Sequence, residues 1–377
     1  MRPSELLALD GTGGLLTINL GAIGANWALL QDRLAPGAIC GAVVKADAYG
    51  LGLAPVADTL WNAGCRHFFV ALAAEGMALR DTLPEAAIYV FNGVDAASAP
   101  SLRDAGLIPV LNHPGQVADW RAAAADADRP LPAVLHVDTG MTRLGFDHAD
   151  LVALAADPTA LKGIELGMVM SHLACAETPD HPLNADQLSL FESARKTLAP
   201  LGPMRASLAN SGGIFLGPNF HFDLARPGAA LFGITPSGIR PAPVAQVVRL
   251  QGKILQCRRI DTPRTVGYGA THHALAGRRI ATVAVGYADG YLRALSGAAH
   301  AHVGDISVPV VGRVSMDLLT LDVTDVPEPQ TVPGTLVDLI GPHHGVEDLA
   351  REAGTIGYEI LTALGARFAR AYVGGHL

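Results

Sequence analysis

The chain is 377 residues long, more than one ordinary domain of ~100–200 residues holds, and it is 50% hydrophobic with 16% charged residues, which demands a large core and excludes a disordered chain. A formal net charge of −8 argues against binding nucleic acid or an anionic membrane through bulk electrostatics. The opening MRPSELLALDGTGG carries two acids and no apolar core of a secretory signal, and no run approaches ~18 uninterrupted apolar residues, so a cytoplasmic chain without a membrane span is expected. From residue 13 to about 235, short apolar runs alternate with longer helical stretches: GAVVKA (41–46), HFFVAL (67–72), AIYVFN (87–92), LIPVLN (107–112), AVLHVD (133–138), IELGMVMSH (164–172), MRASLAN (204–210) and HFDLA (221–225) read as strands. Between most of them lie amphipathic segments such as AEGMALRDTL (74–83) and NADQLSLFESARKTLA (184–199). Runs apolar on both faces and separated by helices imply parallel strands, and eight in roughly 220 residues fit a (β/α)8 TIM-type barrel better than an open sheet. No G-x-G-x-x-G follows the first of them, which weakens a dinucleotide-binding alternative. After about residue 240 the rhythm becomes β-rich with Gly, Pro and Asp turns, closing with the helical patches VEDLAREAG and YEILTALGARFAR. The fold class is therefore α/β, a barrel over 1–238 followed by a mainly β domain over 239–377, with the Pro-rich ITPSGIRPAP (234–243) as the junction.

Only four lysines occur: Lys45, Lys162, Lys196 and Lys253. A barrel builds its active site at the C-terminal ends of its strands. Lys162 precedes a strand, Lys196 sits in a helical stretch and Lys253 lies in the second domain, so Lys45 alone ends a strand at the mouth. It reads either as a rim lysine snorkelling to water or as an amine held among apolar neighbours, its pKa lowered, ready to form a Schiff base.

The other strand ends bear on that choice. HVDTGMTRLGF puts Arg143 beyond the fifth strand, His172 ends the sixth, and ANSGG and ARPGAALFG follow the seventh and eighth, where barrels usually bind phosphate. Asn210, Ser211 and the amides of Gly228 and Ala229 supply the donors. A Schiff-base lysine, a phosphate cradle and an arginine on one rim together suggest pyridoxal phosphate.

The stretches AVVKADAYGLG, HVDTGMTRLGF, SLANSGG, RPGAALFG, VGYGAT, VGYADGY, VGRVSMDLLTLDVTD and YEILTALGARFARAY resemble, collinearly over roughly residues 13–375, the alanine racemases, homodimeric pyridoxal phosphate enzymes with a barrel and a C-terminal β domain. The resemblance implies that Lys45 carries the cofactor and acts as one acid–base, while Tyr268 is the second and reaches the site from the partner subunit. It further implies that Tyr49, Ser211, Gly228, Ala229 and Tyr358 hold the phosphate with Asn210 beside them. Arg226 would face the pyridine nitrogen and His172 lie near the ring. Arg143 would contact the cofactor's phenolic oxygen and the substrate carboxylate, which the main chain at Met316 also meets, and Tyr287 would line the entrance. The implied role is the interconversion of L- and D-alanine, supplying D-alanine for peptidoglycan.

Three positions depart from the family pattern. Many relatives carry a lysine, sometimes carbamylated, seven residues before the arginine of TGMxRLG, where this chain has His136. Ser315 stands where a cysteine is common, and Glu177 where an entrance aspartate is usual. Cys40, Cys65, Cys175 and Cys257 are far apart, with no C-x-x-C, and read as reduced thiols. His272–His273 and His343–His344 lack a metal-ligand pattern, GTGG (11–14) precedes a strand, and Asp289 reads as a turn or ion-pair residue rather than a general base; no metal is expected. Competing functions are a broader-specificity racemase, a barrel decarboxylase, for which an acid in place of Arg226 is expected, and a non-catalytic pyridoxal phosphate carrier, which would lack the domain bearing Tyr268.

Overall fold

The computed structural model describes residues 11–236 and 242–375, so the boundary expected at 238/239 lies outside the described residues. The chain divides into two compact units, residues 23–48 with 52–245, and residues 1–22 with 49–51 and 246–377. The first strand, β1 (Gly14–Asn19), thus belongs with the C-terminal β unit rather than with the barrel segment that follows it.

In the barrel unit, β2 (Ile39–Cys40), β3 (Ala42–Val43), β4 (His67–Val70), β5 (Ala87–Val90), β6 (Ile108–Leu111), β7 (Leu131–His136), β8 (Ile164–Met170), β9 (Arg205–Ser207) and β10 (Leu224–Ala225) fall inside the eight apolar runs, except β2 and the first two residues of β7, which lie just before theirs. Strands β3 to β9 form one parallel sheet in chain order, and β10 pairs with β2 in parallel. Bonds from Asp223 N to Ala206 O (3.0 Å) and from Arg226 N to Ala209 O (2.9 Å) join the last strands, while Gly41 N to Ala225 O (2.9 Å) and Val43 N to Pro227 O (2.8 Å) return to the first. The eight runs therefore close on themselves, and Gly41, between β2 and β3, sits where a Cβ would stand 3.0 Å from the Phe69 ring and 3.1 Å from the His67 carbonyl. Inside, Phe69 stacks on Tyr89 (4.5 Å between centroids) and on Phe91 (5.3 Å), filling the barrel with side chains as a packed core requires. Helix Leu183–Leu198 buries Asn184, Gln187, Phe191, Ala194 and Leu198, one face at steps of three and four.

Past Val44 the structure departs from a plain strand end. Residues Lys45–Gly50 form a helical turn, but Ala46, Asp47, Ala48 and Tyr49 have φ between 53° and 57°, so the turn is left-handed. Each non-glycine residue in that conformation costs about 1–2 kcal/mol, so the surroundings must impose it.

In the β unit, β11 (Val248–Arg259), β12 (Arg264–Val266), β13 (His272–Ala274), β14 (Arg279–Val283), β15 (His300–Val303), β16 (Ile306–Pro309), β17 (Leu319–Asp322), β18 (Leu336–Ile340) and β19 (Ala369–Val373) surround β1. The sheet runs β16–β15–β18–β11–β1–β19, with β14 joining β11 to β17 and β12–β13 a separate hairpin. β1 is a central strand, antiparallel to β11 (Leu16 opposite Leu250) and parallel to β19 (Leu16 opposite Arg370). Residues 49–51 belong here because the Arg370 guanidinium donates to Gly50 O (2.7 Å) and the Tyr372 hydroxyl to Leu51 O (3.0 Å). Among the described residues no helix is long and apolar enough to cross a membrane.

Candidate active site

Lys45 follows β3 at the C-terminal ends of the barrel strands and is half-buried. Burial, then the Arg143 guanidinium, lower its pKa, while Glu75 raises it. Arg143 rides on the loop after β7, and its sequence explains that loop. Asp138 Oδ1 accepts from the amides of Gly140 (2.9 Å), Met141 (3.1 Å) and Thr142 (3.1 Å), and Gly140 and Gly145 take φ of 120° and 114°, which only glycine adopts without strain. Phe146 N returns to His136 O (2.8 Å), closing the loop and presenting Arg143 at its exposed tip.

Two imidazoles face this mouth. His172 is pushed down to about 3 by burial and by the Arg226 and Arg143 charges, and His136 to about 4, chiefly by burial and Arg226, so both are neutral at pH 7. His136 Nδ1 lies 2.7 Å from Asn112 Oδ1, so the ring donates there and keeps Nε2 as an acceptor. Buried Gln187 donates to His172 O (2.9 Å) and to Thr139 Oγ1 (3.2 Å), tying the end of β8 to the Arg143 loop.

Arg226, just past β10, is fully buried. Its Nη1 donates to Ser207 Oγ and its Nη2 to Ser171 O (2.5 Å), while Nε has no partner among the described residues. Burial draws this guanidinium down to about 9, which leaves it charged at neutral pH. Ser211 Oγ accepts from Gly228 N (3.0 Å) and Ala230 N (3.2 Å), joining the loops after β9 and β10, with Ala229 between those amides. Asn210 caps the short helix Ser211–Phe215 through Gly213 N (2.9 Å) and donates to Leu173 O (3.3 Å). A hydroxyl that accepts twice keeps its proton to give to an anion.

In the β unit, buried Tyr49 lies against Tyr358, the rings 6.1 Å apart, and burial pushes the Tyr49 phenol up. Tyr268 is 73% exposed and Met316 54% exposed. Tyr268 lines a cavity of about 410 Å³ with Arg313, Ser315 and Leu318. The loop bearing Met316 is pinned to the turn Tyr287–Asp289: Tyr287 N donates to Ser315 O (3.0 Å) and Ala288 N to Met316 O (2.9 Å). Asp289 accepts from Gly286 N (2.8 Å) and pairs with Arg367 (3.1 Å), which also holds Asp317 (2.8 Å), so Asp289 is an ion-pair residue.

The alanine racemase N-terminal domain family matches residues 18–236 and the alanine racemase C-terminal domain family residues 247–372. The chain belongs to the alanine racemase family. It is 54% identical over 366 residues to the alanine racemase of Rhodospirillum rubrum, covering 97% of each chain, and 50% identical to a catabolic alanine racemase of Mesorhizobium japonicum, covering 96% and 94%. Among solved structures, the alanine racemase of Bartonella henselae with covalently bound pyridoxal phosphate superposes with a TM-score of 0.90 at 40% identity, over 96% of this chain and 99% of that one. Membership makes the chain an isomerase with the barrel-plus-β-domain fold.

Several residues that shape the candidate site were not among the expected site residues. Asp138 and Gln187 shape the Arg143 loop and the His172 backbone, and Glu75 bonds the amide after Lys45 (Ala46 N, 2.7 Å). Asp138 carries a local signal, an aspartate two residues before a glycine, and so does Glu75, an acid at the third position of a helix starting at Ala73, where it reaches back to Leu72 N (3.1 Å). His343 and His344 pair with Asp305 (3.1 Å) and Glu352 (3.0 Å), and no described cluster of His, Cys, Asp and Glu could hold a metal ion. All four cysteines are free.

Proposed function

We propose that this chain interconverts L- and D-alanine with pyridoxal phosphate joined to Lys45, using Lys45 and Tyr268 as bases on opposite faces of the substrate. The residues present fit that cofactor. Arg226 Nε is a buried donor with no partner among the described residues, which suits a ring nitrogen, and the proton left to Ser211 suits a phosphate oxygen. Asn210, Gly228, Ala229, Tyr49 and Tyr358 would complete the phosphate site, with His172 beside the ring. Bound there, pyridoxal phosphate makes the α-hydrogen of an amino acid acidic by drawing negative charge into its ring.

The chain's own groups do the rest. Racemisation takes a proton from one face and returns one to the other, which a base held on each face performs without turning the substrate over. The lowered pKa of Lys45 favours the free amine that such a base needs. Positive charge stabilises a phenol that has given up its proton, and Arg143 is the group proposed to supply it to Tyr268. Arg143 and the main chain at Met316 would orient the substrate carboxylate, and Tyr287 line the entrance. Arg226 donates without giving up a proton, so it draws less charge into the ring than an acid would, which favours racemisation over decarboxylation. The exposed Tyr268 ring supports a homodimer in which each chain completes its partner's site. D-alanine supply for peptidoglycan, in the cytoplasm, is the proposed role.

The observation carrying this reading is the buried Arg226 at the Lys45 mouth, its Nε without a partner among the described residues. The purified chain should show a visible absorbance band that borohydride abolishes, with the label on the Lys45 peptide, and L-alanine should lose its optical rotation in its presence. A labelled chain that leaves the rotation intact would be a carrier, not a racemase.

A further inference from the structure

Glu75 uses both carboxylate oxygens on backbone amides. Oε1 accepts from Ala46 N (2.7 Å); Oε2 accepts from Ala71 N (2.8 Å) and Leu72 N (3.1 Å). One oxygen thus caps helix Ala73–Thr82 after β4, and the other holds the first amide of the left-handed turn after β3. The far end of that turn is held by Asp47, whose carbonyl accepts from Gly52 N (2.9 Å) and whose Oδ1 accepts from Leu53 N (2.7 Å).

We propose that Glu75 is the positioning residue for Lys45: its carboxylate fastens the strained turn to the neighbouring strand end and so fixes where the amine points. The proposal rests on the role given to Lys45 above. All three partners of Glu75 are N–H groups, so only a group with two acceptor oxygens satisfies both ends. Glutamine, of the same shape, must turn an NH2 toward one of them. The charge matters too, because the Arg143 guanidinium disfavours the Lys45 ammonium whereas the Glu75 carboxylate favours it.

The test compares the full wild-type chain with Glu75→Gln. Stripped of cofactor, each is acylated across a pH series, and Lys45 is followed by peptide mass spectrometry against Lys162, Lys196 and Lys253. Losing the anion should move the Lys45 midpoint to lower pH and raise its relative rate at mildly alkaline pH by about threefold or more. Pyridoxal phosphate affinity should fall about tenfold, and Ala46→Gly, which relieves the turn at φ 54°, should restore much of it in the Glu75→Gln chain. A residue that merely caps its helix would lower thermal stability and move neither the midpoint nor the affinity. Unchanged acylation and affinity, or no rescue by glycine, overturns the proposal. If Glu75→Gln does not fold, Glu75→Asp keeps the charge and withdraws the oxygens: lost affinity with the midpoint kept supports the proposal, unchanged affinity overturns it. A wild-type chain that takes no pyridoxal would instead overturn the cofactor reading, while the acylation profile, which needs no cofactor, still decides for Glu75.

Discussion

Arg226 shows how one buried side chain constrains the chemistry of a barrel mouth. With two of its donors spent on Ser207 and the Ser171 carbonyl, it cannot swing away from whatever meets its Nε. Arg226→Glu should lower racemisation by about 10²-fold or more and divert substrate into transamination, read as pyruvate formed from alanine; an unchanged product profile would remove Arg226 from the reaction. The neutral imidazoles have a consequence for stability. His67, His136 and His172 are held at about 4, 4 and 3 in the fold against 6.5 for the ordinary ring, each chiefly by burial. Between pH 6.5 and about 4 the unfolded chain therefore binds protons that the folded chain refuses, so stability is full above 6.5 and falls as the pH drops, by up to about 1.4 kcal/mol per pH unit for each histidine. Urea midpoints taken from pH 7 to pH 5 should show this decline, and His67→Gln should flatten it by up to one proton's share. A pH-independent midpoint would mean that these rings do not stay neutral.

At the scale of elements, the site depends on loops that rigid backbone contacts hold in place. Gly286 is extended, yet a Cβ there would stand 2.4 Å from both the Ser315 and the Met316 carbonyl oxygens. Gly286→Ala should push the Met316 loop off the Tyr287 turn and raise KM for alanine by about tenfold or more with a smaller loss in kcat; a KM within twofold of wild type would show that the loop does not meet substrate. The strands of the barrel were legible from residues 41 to 225 because runs such as HFFV and AIYV are apolar on both faces and bounded by turn residues. The turn after Lys45 was not legible. KADAY reads as an ordinary right-handed helix start, and the bond from Ala46 N to Glu75 that holds the left-handed turn comes from a distant stretch, which no local pattern announces. The site residues at strand ends were readable as polar residues closing apolar runs, whereas Gln187, thirteen residues from the amide of Ala174 that it bonds, looks like any other polar helix position.

At the scale of the whole molecule, the proposed sharing of sites between two chains can be decided by mixing. Chains carrying Lys45→Ala and chains carrying Tyr268→Phe should each be nearly inactive, but a mixed dimer would hold one site with both residues intact. Co-refolding the two should therefore restore activity toward one site per mixed dimer, and inactivity of the mixture would place both residues in the same chain's site. The division of the chain into units was harder to read from sequence than the chemistry. GLLTIN falls within the 1–238 expected for the barrel, but its two neighbours, β11 and β19, are contributed by residues 248–252 and 369–373.

That placement of β1 has a consequence for how the protein is made. Leu15 leaves the ribosome long before Ala369, with which it pairs on one side. At ~5–20 residues per second, translation leaves that edge bare for tens of seconds after β1 emerges. Through that interval GLLTIN is a sticky apolar ribbon with no permanent neighbour on that side, so the newborn polypeptide is exposed to clumping, or in need of a chaperone, at this strand until Ala369 and its neighbours arrive.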